Sequence, residues 1–178
     1  MGTTTLVQCF REQVNLLRLA ETMISSLFTP SNNFSGASRK SLRDSSNLAL
    51  SRWHALLPGF VQWNKWEPTS KPLLPSVAAL HVRIVLNSEA CRGTYMGGDS
   101  ENARAMCLSS AQDIISIVRK YRSSYGLKHT PFIFIYGIVQ ALRTSQAIGI
   151  AQESNYLINI LEESSATWDL ARHIRVNL

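Results

Sequence analysis

One segment constrains the fold more than any other: residues 131–150, PFIFIYGIVQALRTSQAIGI. Pro131 suits the first turn of a helix, and Thr130 before it is placed to cap that turn. In the first half of the segment apolar side chains fall on nearly every helical face. A helix of that kind has no side fit for water and must be enclosed by others. It is therefore predicted to be the central, buried helix, and the rest of the chain has to supply its cover.

The other apolar residues recur at three- and four-residue steps, as stacked helices require. Leu6, Phe10, Val14, Leu17, Met23, Ile24 and Leu27 predict a helix over 5–28, stopped by Pro30 and SNNFSGAS. A second runs from Ser38 through Leu42, Leu48, Leu50 and Trp53 to Leu57. Residues 57–75 hold Pro58, Pro68, Pro72 and Pro75 and read as an extended loop, with Trp63 and Trp66 expected to clamp it to the core. Ser76 is placed to cap a third helix, over 76–91. The fourth starts at Asp99 or Ser100 and carries the cleanest amphipathic pattern, through Ala103, Met106, Cys107, Ala111, Ile114, Ile115, Val118 and Tyr121. Two shorter helices are predicted over 152–163 and 165–175. Period-two β-branched runs are missing apart from the ambiguous FIFIY. The expected fold is all-α: one domain over 1–178, an irregular bundle of six or seven helices with a Pro/Trp-rich loop between the second and third.

Composition excludes several classes. With 178 residues, 45% of them apolar, the chain can bury a core without disulfides or metals. Three cysteines, Cys9, Cys91 and Cys107, form no C-x-x-C pair and no zinc-ligand spacing, so reduced thiols and no metal or cofactor are expected. The start, MGTTTLVQCFREQ, is not a secretory signal, and the apolar stretch at 131–142 is too short to span a bilayer. The net charge of +6 is diffuse, with no basic run that would form a nucleic-acid footprint.

The residues most suggestive of chemistry lie on the third helix: His81, Arg83, Asn87, Glu89, Cys91 and Arg92. His81 and Cys91 would stand about 15 Å apart along a straight helix, too far for a base and its nucleophile. Arg83 and Asn87, four residues apart, read as a hydrogen-bonding pair at the surface or between helices. Glu162 and Glu163 diverge around their helix, GTYMGGD lacks the phosphate-loop spacing, and Cys107 reads as a small buried hydrophobe. Arg119, Lys120 and Arg122 are expected to offset a helix dipole. No catalytic signature emerges. The residues singled out for an effector pocket or an interface are His81, Arg83, Cys91, Arg92 and Tyr136. The rival to a regulatory role is a small ligand-binding protein or enzyme with its pocket between the helices at 76–92 and 131–148.

Four segments, in order, carry a resemblance: Ser51–Pro58 (SRWHALLP), Leu74–His81 (LPSVAALH), Cys107–Ile114 (CLSSAQDI) and Pro131–Tyr136 (PFIFIY). Their sequence of features resembles the later part of the helical regulatory region of fungal zinc-cluster transcription factors. Two departures stand out. Residues 89–94, EACRGT, keep at most the Arg of the family's HRP element, and three cysteines cannot build the six-thiolate binuclear cluster that reads DNA. The resemblance implies a nuclear or cytoplasmic regulatory module, of the kind that controls nitrogen or secondary-metabolite genes. It would be a fragment of a longer regulator or a free-standing helper, without specific DNA binding of its own. A helical region shorn of its N-terminal neighbours would expose apolar faces, so a protein partner or self-association is expected.

Overall fold

The computed structural model describes residues 3–28, 36–62, 82–85, 87–88, 98–128 and 130–168. Among these residues every regular element is a helix: α1 (Thr3–Phe28), α2 (Gly36–Leu56), a 3-10 turn at Gly59–Val61, α3 (Gly98–Tyr125), α4 (Phe132–Ile148) and α5 (Ala151–Ser164). Residues 82–85 and 87–88 are also helical. The fold is an all-α bundle.

The all-apolar segment behaves as its composition requires. Phe134, Ile135, Ile138, Ala141 and Leu142 of α4 are fully enclosed, with α3 packed on one side and α5 on the other. From α3 come Cys107, Ala111, Ile114, Ile117, Val118 and Tyr121, and from α5 come Leu157, Ile160 and Leu161. The Tyr121 ring lies 4.7 Å from that of Phe134, centroid to centroid. Two glycines end helices where a side chain would be strained. Gly126, at φ 68°, follows α3 and donates its N–H to the Arg122 carbonyl. Gly149, at φ 84°, bonds to Gln146 while Ile150 reaches Ser145, a Schellman ending that turns the chain straight into α5.

A second, separate core joins α1 to α2. It comprises Leu16, Ala20, Met23 and Leu27, with Leu50 of α2 and Val82. Trp53 and Leu42 pack against it, partly buried. The helical residues after 81 connect the two cores: Val82 belongs to this one, and Ile84 to the larger one. Ile133, at the head of α4, also touches both.

Several expectations need correction. The single apolar stripe expected on α1 is two. Leu16, Ala20, Met23 and Leu27 form the buried row, whereas Phe10, Leu17 and Ile24 form another about a quarter of a turn away, left exposed. Thr130 does not cap α4: its hydroxyl donates to the Leu127 carbonyl at 2.6 Å, closing the preceding turn, and Pro131 occupies the cap position. The helix expected over 165–175 does not start at 165: residues 165–167 form a turn, and the Trp168 indole donates back to the Thr130 carbonyl at 2.8 Å; residues 169–175 lie outside the described residues. Arg122 does more than offset a dipole, since it pairs with Glu163 of α5 at 2.7 Å. Arg119 lies 4.8 Å over the Tyr156 ring. Ser76, Trp63, Trp66 and most of the loop at 57–75 lie outside the described residues.

Candidate functional site

Of the five residues singled out from sequence, His81, Cys91 and Arg92 lie outside the described residues. Arg83 and Tyr136 are described, and they lie on different helical segments. Tyr136 is exposed on α4, its ring edge-on to Phe132 at 4.9 Å. Arg83 faces α2, where its Nη2 donates to the Ser51 hydroxyl at 2.9 Å.

Arg83 belongs to a polar seam running between α2, the residues at 82–88 and α3. At its buried end Asn47 and Asn87 exchange reciprocal amide hydrogen bonds, each 3.1 Å, and Asn87 Nδ2 also donates to the Arg83 carbonyl at 2.7 Å. This confirms Arg83 and Asn87 as interhelical hydrogen-bonding residues. A buried amide pair between helices favours one register, because sliding either helix would strand both side chains. Toward solvent, His54, Arg83 and Asp113 gather, each half-buried. Burial holds the His54 imidazole below its ordinary pKa, and the Arg83 charge adds to the effect, while Asp113 opposes it. Burial pushes the Asp113 carboxyl up against the pull of Arg83 and His54. The Arg83 guanidinium is lowered by burial and supported by Asp113, and its Nε is buried without a partner.

Ser51, His54 and Asp113 supply the residue types of a hydrolase triad, but not its wiring. The Ser51 hydroxyl is engaged by Arg83, and no hydrogen bond among the described residues joins it to His54. A nucleophile needs its base within hydrogen-bond reach. The seam is a structural joint. Sequence reasoning overlooked His54 and Asp113 as partners of Arg83, although both lie inside the motifs SRWHALLP and CLSSAQDI.

A second feature lies on the other side of the same helical residues. A partly open cavity of about 130 Å³ is lined by Ile84 and Ser88, by Arg104 and Cys107 of α3, and by Gln140, Arg143, Thr144, Ala147 and Ile148 of α4. Ile84 and Cys107 are buried at its floor, the Cys107 thiol directed to the Ile84 carbonyl at 3.7 Å. Arg104 and Arg143 are exposed at its rim. Neither Arg83 nor Tyr136 lines it. No group of three metal-ligating side chains occurs among the described residues. No described helix is long and apolar enough to cross a membrane.

The third feature is apolar surface, and it is concentrated at the N-terminal end. Phe10 is 68% exposed, Leu17 61% and Leu56 84%, with Val7, Ile24 and Leu48 also open to solvent. On α1 the positions 7, 10, 14, 17 and 24 fall in the three-four spacing of a heptad seam, interrupted only by Glu21.

No family model matches the chain, and no solved structure matches it. Two uncharacterized transcriptional regulatory proteins of the fission yeast Schizosaccharomyces pombe are similar to it. One is 26% identical over 188 residues, covering 96% of this chain and 30% of the relative. The other is 22% identical over 177 residues, covering 89% of this chain and 28% of the relative. The chain thus spans less than a third of the length of the curated relatives it matches.

Proposed function

We propose that the chain is a transcription-regulatory module, of the fungal zinc-cluster kind but without the cluster, and that it works by protein association rather than catalysis. The reading places it in the nucleus, among the controls of a metabolic or biosynthetic gene set. The regulatory part is supported by the two fission-yeast relatives, which are named as transcriptional regulatory proteins. The association part rests on one observation: the second apolar row of α1, Phe10, Leu17 and Ile24, which no described residue buries. Large apolar side chains in a continuous row are normally covered by a partner. The three cysteines of these 178 residues supply no six-thiolate cluster, so the reading of base edges would fall outside them.

Sedimentation of the purified chain tests this. It is expected to self-associate with rising concentration, and the double variant Phe10→Ser, Leu17→Ser to remain monomeric with its helicity intact. A wild-type chain that stays monomeric throughout defeats the association reading. A gel shift in which this chain alone binds one promoter sequence tightly defeats the claim that it depends on a partner for DNA.

A further inference from the structure

We infer that the cavity between residues 82–88, α3 and α4 is a binding site for a small carboxylic acid with a compact apolar body. The inference concerns a ligand rather than a partner, and so goes beyond the association reading. It rests on how the lining is divided. The apolar part of the lining is Ile84 and Cys107, both buried, with Ile148, half-buried, and Ala147, which is exposed. At about 130 Å³ the space is close to that of an apolar cavity that admits benzene, roughly 150 Å³, so it suits a body of ring size.

The polar side has one sign. Arg104 comes from α3 and Arg143 from α4, and no carboxylate stands among the described lining residues. The two hydroxyls of the lining are committed to backbone: Ser88 donates to the Val85 carbonyl at 2.8 Å and Thr144 to the Gln140 carbonyl at 2.9 Å. The donors left to meet a ligand are thus the two guanidinium groups and the Gln140 carboxamide. Guanidinium presents a planar fork that matches a carboxylate through two parallel N–H···O bonds. An anion held at the rim would neutralise two like charges drawn to one opening. An inorganic oxyanion would satisfy the arginines yet leave the apolar floor unfilled, so the proposal commits to an organic acid.

Benzoate is the probe, titrated into the full chain by calorimetry and by amide chemical shifts. It should bind at one site with a dissociation constant of about 1 mM or tighter, a range suited to so few heavy atoms. Shifts should be confined to residues around Ile84, Cys107 and 140–148. Its neutral analogue benzamide should bind at least about tenfold more weakly, as the loss of a charge-assisted pair implies. Arg104→Gln and Arg143→Gln should each weaken benzoate by about the same factor. Both arginines are exposed, so the variants should keep the wild-type circular dichroism. The proposal is overturned if benzoate and benzamide bind alike, or if sulfate binds as well as benzoate. It is equally overturned if both Gln variants bind benzoate unchanged, or if no saturable shift occurs around the cavity. None of these results bears on self-association, so the two readings fail separately.

Discussion

The two cores of this molecule are built from the same helical periodicity, yet only one of them is closed. Around α4 the helices α3 and α5 leave no large side chain of its inner faces in contact with water. Along α1, residues seven apart are bare: Phe10, Leu17 and Ile24. Apolar spacing states that a helix has a face to bury, while burial itself depends on how many neighbours are at hand. Among the described helices, α4 has α3 and α5 packed along it, whereas α1 packs against α2 with Val82 added to the same core. A helix with two apolar rows, of which its described neighbours bury one, keeps a row to spare.

The largest expected effect puts that difference to a direct test. Ile138→Ala removes an enclosed side chain from the closed core and should lower the free energy of unfolding by about 2–5 kcal/mol, because the cavity cannot collapse. Leu17→Ala removes a side chain of similar size from the open row and should change it by no more than about 0.5 kcal/mol. Chemical denaturation followed by circular dichroism, at low protein concentration, measures both. Equal losses would mean that the α1 row is buried within the folded chain after all. A Leu17→Ala loss that appears only at high concentration would instead locate the burial between copies, and so sharpen the contrast.

Much of this was legible in the sequence, for reasons that differ by region. The central position of α4 could be read because a segment apolar on all sides admits no other place. The face of α3 could be read because Ala103, Cys107, Ala111, Ile114, Val118 and Tyr121 form one row with little competition. On α1 two rows share the same three-four spacing, and a linear pattern merges them, so the buried one could not be picked out. Thr130 looked like a cap from its neighbours alone, but its hydroxyl was claimed by Leu127, whose position depends on the turn. Arg83 and Asn87 were recognisable as a hydrogen-bonding pair because they share one helix face. Their partners Ser51 and Asn47, and the charges of His54 and Asp113, lie on other helices. Such convergence follows from packing angles that no local pattern encodes. The cavity rim at Arg104 and Arg143 escaped notice for the same reason.

The joint between the two cores supplies the next prediction. Asn87→Ala leaves the Asn47 amide buried without its partner, and an unsatisfied polar group of that kind costs about 1–3 kcal/mol. Replacing both, as in Asn47→Leu with Asn87→Leu, removes the stranded group and should recover much of the loss. A double-mutant cycle read by urea unfolding checks this. Additive losses would show that the amides act independently and that the two cores do not depend on this pair for register. A strong coupling, with the double variant losing cooperativity, would show that the amide pair holds the open core to the closed one.

The smallest expected effect is electrostatic, and it lies at the outer end of the same joint. His54 has its folded pKa below the ordinary value, through burial and then Arg83, so the unfolded chain takes up a proton first as the solution is acidified. Stability from this residue is therefore complete above the ordinary imidazole value of about 6.5 and is lost as the pH falls below it. Asp113 acts with the opposite sign: burial raises its folded pKa, so its contribution is complete at low pH and is lost as the pH rises through that raised value. The two act with opposite signs, so a variant that removes one of them separates their effects. Between about pH 7 and 5 the His54 contribution to stability should decline on acidification. His54→Gln should flatten that part of the profile, and subtracting its unfolding curve from the wild type isolates the residue from the chain's other histidines. A difference curve that is flat, or that rises on acidification, would mean that Asp113 outweighs both desolvation and Arg83 at His54. The outer end of the joint would then hold a charged imidazole paired with Asp113 rather than one kept neutral by burial.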